Sequence, residues 1–206
     1  MNLFNVYPLF NINPVKAEGS FLWDENGQKY LDFYGGHAVI SIGHNHPHYE
    51  KKKKNQLEKI SFYSNSVQNN LQIELAEKLG KISGYEDYSL FLCNSGAEAN
   101  ENALKLASFH NGKKKVIYFS EAFHGRTSAA VAVTDNPKIV APVNESGNFI
   151  KCEFNNSEEL KKVFAENQNE ISAVIVEGIQ GVGGINLLEN DFILTIEQLC
   201  KENNTI

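Results

Sequence analysis

The sequence of 206 residues lacks several features that would place it in a specialised class of protein. No apolar stretch approaches the roughly 20 residues of a membrane-spanning helix, and the N-terminus lacks the basic-then-apolar order of a signal peptide. The net charge of -6 comes from scattered acidic side chains, so neither a nucleic-acid-binding surface nor a polybasic membrane patch is indicated. We therefore expect a cytoplasmic protein whose partner is a small molecule.

Cysteine is scarce. Cys93, Cys152 and Cys200 are odd in number and far apart, and none has a His or Cys neighbour at metal-ligand spacing. The sequence predicts buried free thiols and no metal site.

Arginine is almost absent. Of the 19 basic residues other than histidine, Arg126 is the only arginine. A planar guanidinium can bind a carboxylate through two parallel hydrogen bonds, which an ammonium group cannot do. A chain so biased toward lysine is expected to use arginine where that geometry is needed.

The N-terminal part of the chain predicts a hairpin followed by helices. Residues 18 to 34 alternate around Asn26-Gly27, a strong short hairpin signal. Pro47 suits the first position of a helix that runs to about Ser61, and a second helix is predicted from about Leu71 to Ile82.

From Tyr88 onward, short apolar runs alternate with helical patterns. Strands are predicted at 89–93, 115–119, 149–152 and 173–176, and helices at 97–110, 158–167 and 191–203. This alternation is typical of an α/β fold with a mostly parallel sheet covered by helices on both faces.

The segment Asn94–Asn100 (NSGAEAN) follows the first of these strands and opens a helix. Backbone N–H groups at a helix N-terminus are unpaired and attract anions, Gly96 allows close approach, and Ser95 can offer its hydroxyl. Spacing alone favours a simpler alternative, in which Ser95 caps the helix and Glu98 completes a capping box. Neither a dinucleotide G-x-G-x-x-G fingerprint nor a Walker A loop is present.

The whole heptapeptide resembles the phosphate-binding turn of the class III pyridoxal-phosphate (PLP) aminotransferases, the group that contains acetylornithine and ornithine aminotransferases. The resemblance implies PLP as the cofactor, with its phosphate at Ser95, Gly96 and Ala97. It also implies the fold type I architecture of PLP-dependent transferases.

A second segment, Glu121–Ser128 (EAFHGRTS), resembles the family loop whose aromatic residue stacks on the pyridine ring. The resemblance implies that Phe123 and His124 bind the cofactor and that Arg126 holds the substrate carboxylate, in agreement with its being the sole arginine. The alternatives are an exposed surface cation for Arg126 and a structural or solvated, non-catalytic histidine for His124.

A third segment, Glu177–Gly184 (EGIQGVGG), resembles the family motif E-P-I-Q-G-E-G-G. The resemblance places Gln180 near the cofactor ring and Glu177 in the substrate site, although Glu177 could be a plain structural acceptor. Gly178 replaces the motif's proline, and Val182 replaces its second glutamate. In the family this glutamate pairs with a downstream arginine and helps the site accept two different substrates. Val182 carries no charge, so this pair is absent or rebuilt here.

The resemblance covers the first half of a typical family member. It implies that residues 1–60 belong to a small domain, that 61–206 begin the large PLP-binding domain, and that the chain is truncated. The Schiff-base lysine and the acid that pairs with the pyridine nitrogen are expected beyond Ile206, so no catalytic residue is assigned.

A complete member is expected to be a cytoplasmic homodimer in arginine biosynthesis that transfers the side-chain amino group of an N-acetyl- or N-succinylornithine to 2-oxoglutarate. The alternatives are another class III aminotransferase, of the ornithine or 4-aminobutyrate type, and a non-catalytic remnant.

Overall fold

The computed structural model describes residues 1–206, which form two compact units, Met1–Gly84 and Tyr85–Ile206. Each unit is described by itself. Residues 1–60 were predicted to belong to a small domain and residues 61–206 to a large domain of a complete enzyme. That division stays a prediction.

The first unit contains a small antiparallel sheet and three helices. Its strands pair in the order β1-β2-β3. The elements are β1 (Pro14–Glu18), β2 (Phe21–Asp24), β3 (Lys29–Leu31), the helical turn α1 (Gly35–Ala38), α2 (Pro47–Leu57) and α3 (Asn70–Ser83).

The turn between β2 and β3 confirms the predicted hairpin. Gly27 adopts a φ of +79°, which glycine tolerates without strain. The carboxylate of Asp24 accepts hydrogen bonds from the backbone N–H groups of Asn26 and Gln28, each at 2.9 Å. The turn is therefore held by its own side chain as well as by strand pairing.

The second unit contains a parallel sheet, a short hairpin and four helices. Its elements are α4 (Gly96–Asn111), β4 (Lys115–Phe119), α5 (Ser128–Ala132), β5 (Phe149–Cys152), α6 (Ser157–Glu166), β6 (Ile171–Val174), β7 (Ile179–Gln180), β8 (Asn186–Leu187) and α7 (Asn190–Glu202), with a 3₁₀ turn at Pro142–Asn144. No helix of the chain combines the length and the apolar character that a membrane crossing requires.

β4 is the central strand of the parallel sheet and pairs with both β5 and β6. Because side chains alternate across a strand, Ile117 and Phe119 enter one buried cluster and Val116 enters another. The first cluster includes residues of α6 and α7, and the second includes residues of α4. The sheet is therefore covered by helices on both faces, as the sequence predicts.

The structure differs from the sequence-based expectations in several details: α1, α5, β7 and β8 were not predicted, and Cys93, expected to be a buried thiol, is exposed. The predicted strand at 89–93 is not a strand, because it has no pairing partner; Phe91 within it is 60% exposed. β1 was not predicted, since PVKAE has no clear alternation and becomes a strand by pairing with β2. β6 begins two residues earlier than expected, at Ile171, where it pairs with Lys115.

Truncation of Leu160 tests the core between α6 and the sheet. Leu160 is fully buried, whereas Leu106 on α4 is 63% exposed. Leu160→Ala should lower the free energy of unfolding by about 2 to 5 kcal/mol, because it leaves a cavity in a packed cluster. Leu106→Ala is the matched control and should change it little. Urea unfolding followed by circular dichroism measures both, and equal effects would contradict this packing.

Candidate functional site

The three segments singled out in the sequence lie at one end of the second unit's sheet. The loop containing Phe123 follows β4, and the loop that begins at Glu177 follows β6. β4 and β6 are parallel neighbours, so both loops leave from the carboxyl end of the sheet. Open α/β sheets bind ligands at this end.

The segment Asn94–Asn100 opens α4, and Ser95 and Glu98 cap the helix in a variant of the capping box, in which Glu98 bonds the N–H of Asn94 instead of that of Ser95. Ser95 is the N-cap, and its Oγ accepts a hydrogen bond from the backbone N–H of Glu98 at 3.2 Å. Glu98 Oε2 reaches back to accept from the N–H of Asn94 at 2.9 Å. The capping alternative is therefore realised. The cap leaves the amides of Gly96 and Ala97 in the first helical turn, where no carbonyl of the helix can pair with them, and an anion site there stays a prediction.

Gly125 brings the loop after β4 against the start of α4. A Cβ atom at Gly125 would lie 2.7 Å from Ala97 Cβ and 3.0 Å from Ala130 Cβ, and Gly125 has a φ of +140°. Asn100 fastens the same approach by donating its side-chain N–H to the carbonyl of His124 at 2.7 Å. The predicted phosphate turn and the predicted ring-binding loop are thus adjacent.

Phe123 and Arg126 lie together on this loop. The guanidinium carbon of Arg126 is 5.8 Å from the centroid of the Phe123 ring, a cation–π distance. Arg126 is exposed and Phe123 is half-buried. An aromatic ring and an exposed cation therefore stand beside the helix N-terminus, and their roles stay predictions.

His124 is buried, with 6% of its surface exposed. Its backbone N–H donates to Thr134 Oγ1 at 2.9 Å, while its side-chain Nε2 has no hydrogen-bond partner in the protein. Burial lowers the pKa of His124 below 6.5, and the nearby Glu177 carboxylate partly opposes this. The neutral imidazole is therefore the favoured form, with one ring nitrogen available to a further group.

Glu177 and Gln180 join the loop after β6 to the loop after β4. Glu177 Oε1 accepts a hydrogen bond from the backbone N–H of Phe123 at 2.9 Å. Gln180 is 1% exposed, and its side-chain N–H donates to the carbonyl of Ser120 at 2.7 Å. The contacts of Gln180 are thus with protein groups, and its predicted place near a cofactor ring stays a prediction.

Two residues of this site were missed by the sequence reasoning. Thr134 Oγ1 accepts from the N–H of His124, and its single hydroxyl proton is within reach of two carbonyls, that of Ala130 at 2.9 Å and that of Gly125 at 3.1 Å. Asn186 contacts both Glu121 and Gln180. Neither lies in one of the three motifs, and no local pattern marks them.

The two residues that differ from the family motif in Glu177–Gly184 are Gly178 and Val182. Val182 is exposed, and the carbonyl of Gly178 accepts a hydrogen bond from the N–H of Leu188.

The sequence profile of the family Aminotransferase class-III matches residues 5–206. The chain is 39% identical over 206 residues to an acetylornithine aminotransferase of Bacillus amyloliquefaciens and covers 88% of it. It is also 43% identical over 188 residues to that of Archaeoglobus fulgidus, of which it covers 49%. The chain belongs to the class III aminotransferases.

Solved structures agree on the fold. An ornithine aminotransferase from Toxoplasma gondii superposes with a TM-score of 0.88 at 25% identity, over 99% of this chain and 49% of that one. A taurine:2-oxoglutarate aminotransferase from Bifidobacterium kashiwanohense, solved with PLP and glutamate, superposes with a TM-score of 0.90 at 20% identity, over 99% and 51%. The chain spans about half the length of these structures and of most of the curated relatives it matches.

The lowered pKa of His124 predicts a stability that declines toward acid. In the unfolded chain this imidazole titrates near its ordinary value, so on acidification the unfolded chain takes up the proton first. The contribution of neutral His124 is therefore complete above the unfolded pKa and is lost as the pH falls through the folded pKa. His124→Gln should lessen the fall in unfolding free energy between pH 7.5 and pH 5, whereas His110→Gln, at an exposed position, should leave it unchanged. Urea unfolding at each pH measures the free energy of unfolding. If the fall between pH 7.5 and pH 5 is as large in His124→Gln as in the unchanged chain, the lowered pKa of His124 is contradicted.

Proposed function

We propose that this chain is the part of an acetylornithine-type aminotransferase that holds the PLP phosphate and ring and the substrate carboxylate. The observation that carries the proposal is the contact of Gly125 with Ala97, which puts an aromatic residue and the only arginine beside a helix N-terminus. The names of the relatives support the substrate class, since curated relatives at 35 to 43% identity are acetylornithine aminotransferases.

The residues present fit a phosphate ester attached to an aromatic ring. The first-turn amides of α4, Gly96 and Ala97, suit the phosphate, with Ser95 beside them. Phe123 suits one face of the ring, and the buried Nε2 of His124, without a protein partner, suits a polar group of the cofactor. Gln180 holds the loop that carries Phe123 and His124 by donating a hydrogen bond to the carbonyl of Ser120. When bound, PLP supplies an electron sink for carbanion chemistry, and this chain's residues bind and orient it.

Arg126 suits the substrate carboxylate. Its guanidinium is exposed on the loop that carries Phe123, and a forked pair with a carboxylate is strong and directional. Both proposed substrates, an N-acylornithine and 2-oxoglutarate, carry such a carboxylate. Glu177 accepts a hydrogen bond from the backbone N–H of Phe123, and we assign it to the substrate part of the site.

The complete enzyme would transfer the side-chain amino group of N-acetyl- or N-succinylornithine to 2-oxoglutarate in arginine biosynthesis, as a cytoplasmic homodimer. No lysine of this chain is assigned to the covalent bond with PLP. An ornithine-type activity is the second candidate, favoured by the superposition on the Toxoplasma gondii ornithine aminotransferase. Comparing acetylornithine with ornithine as amino donors distinguishes the two, and a complete enzyme inactive on both would favour the non-catalytic alternative.

Binding of pyridoxamine 5′-phosphate to the 206-residue chain tests the phosphate site. This ligand lacks the aldehyde of PLP, so the chain's lysines do not react with it. Ser95→Asp keeps a good N-cap but puts a carboxylate beside the negatively charged phosphate. The affinity of the Ser95→Asp chain for pyridoxamine 5′-phosphate should fall at least about tenfold, because like charges a few ångströms apart cost well over 1.4 kcal/mol. Isothermal titration calorimetry measures this affinity.

Ser95→Ala is the matched control for that variant. It removes the cap without adding charge, so it should lower stability by about 1 kcal/mol and weaken binding less than Ser95→Asp does. A Ser95→Asp chain that is folded and binds the ligand as well as the unchanged chain would remove the phosphate from this turn.

In a complete enzyme that contains this chain, Arg126→Lys tests the carboxylate assignment. Lysine keeps the charge but loses the two-pronged geometry, so the KM for both acetylornithine and 2-oxoglutarate should rise about tenfold or more. Lys114→Ala, at an exposed position, is the control and should leave both unchanged. Steady-state kinetics measures the values. An unaltered KM in Arg126→Lys would leave Arg126 as a surface cation.

A further inference from the structure

The loop Glu177–Leu187, here called the strap, is bound along its length to the loop Ser120–Arg126, here called the aromatic loop. Glu177 bonds the N–H of Phe123, and Gln180 bonds the carbonyl of Ser120. Asn186 donates to Glu121 Oε2 at 2.7 Å. The two loops therefore share side-chain to backbone and side-chain to side-chain bonds from one end of the strap to the other.

The amides of Gln180 and Asn186 fix each other's orientation. The carbonyl of Ser120 can only accept, so the nitrogen of the buried Gln180 amide faces it at 2.7 Å. Gln180 Oε1 is then left to accept from Asn186 Nδ2, at 3.1 Å. Asn186 Nδ2 also lies 3.1 Å from the carbonyl of Gly183. A single amide group thus ties the two strands of the strap together and joins them to Glu121.

Glu121 is the second residue of the aromatic loop, two residues after the end of β4, and its backbone is strained. It has a φ of +61°, a left-handed conformation that costs a residue with a side chain about 1 kcal/mol or more. Its N–H donates to Asp135 Oδ2 at 2.8 Å, and the strap holds its other side. Gly183 packs so closely that a Cβ there would lie 2.6 Å from the carbonyl oxygen of Glu121. The strained turn is therefore held between Asp135 and the strap.

We propose that Asn186 and Gln180 are positioning residues that hold the strap against Glu121 and so set the place of Phe123. Glu177 receives the N–H of Phe123 only while the strap is seated, because Glu177 begins the strap that Gln180 and Asn186 fasten. That Phe123 contacts a cofactor ring rests on the proposed function. The positioning itself rests on these contacts alone.

Two substitutions at Asn186 should loosen the strap to different degrees. Asn186→Ala removes the shared donor. Asn186→Asp keeps the size but turns a carboxylate toward the Glu121 carboxylate and the Gln180 carbonyl, so it should be the more disruptive. Adding Glu121→Gln to Asn186→Asp restores a hydrogen bond between the two loops, in which residue 121 donates and residue 186 accepts. The double variant should therefore recover part of the loss caused by Asn186→Asp. Leu187→Ala, at the adjacent exposed side chain, is the control.

Amide hydrogen exchange measured by NMR on the 206-residue chain is the primary test. Asn186→Ala should speed exchange at Phe123 about tenfold, a factor matching the loss of a hydrogen bond or two. Exchange at Ile175, whose N–H bonds the carbonyl of Ile117 in the core, should not change. Unchanged exchange at Phe123 would overturn the proposal, and so would an equal rise at Phe123 and Ile175, which would indicate general destabilisation.

Ligand binding separates this inference from the proposed function. Asn186→Ala should weaken pyridoxamine 5′-phosphate about tenfold and leave the affinity for inorganic phosphate unchanged, because the amides of α4 are untouched. Equal weakening of both ligands would count against positioning through Phe123. If the unchanged chain binds neither ligand while the exchange result holds, the strap still positions Phe123 and it is the proposed function that fails.

Discussion

The site depends on one close approach, between the backbone of Gly125 and the first turn of α4. No side chain fits at Gly125, because a Cβ there would sit 2.7 Å from Ala97 Cβ. This contact brings the loop after β4 to a helix N-terminus, and Asn100 and Thr134 fasten it with hydrogen bonds to the carbonyls of His124 and Gly125. The dipole of the helix, the aromatic ring of Phe123 and the cation of Arg126 share one small region only because of it.

Much of the fold could be predicted from sequence because it is encoded locally. Apolar periodicity and caps predicted the five longer helices to within a few residues, although not the short α1 and α5, and Asn26-Gly27 predicted the hairpin. The failures concern pairing, which is not local. The apolar run 89–93 satisfies every local criterion for a strand yet has no neighbour, whereas the poorly patterned β1 is a strand because β2 lies beside it.

The candidate site was predictable to the extent that its residues lie in recognisable motifs. Ser95, Phe123, Arg126 and Gln180 were found in that way, through resemblance to the family to which the chain belongs. Asn186 and Thr134 could not be, because their partners are distant in sequence or are backbone atoms of an irregular loop. The cap at Ser95 shows a further limit, since spacing alone offered a choice between a cap and an anion site; the cap is formed, and the anion site stays a prediction.

The bonds between the strap and the aromatic loop also bear on how the molecule folds. They join residues 54, 60 and 65 positions apart, so each closes a long loop whose entropy must be offset by contacts already made. The pairing of β6 with β4 brings the two loops to the same end of the sheet. During synthesis from the N-terminus, Glu121 therefore lacks the second of its two supports until residue 186 has left the ribosome, although Asp135 is available earlier. We expect the strained turn to form late, after the sheet from which it extends.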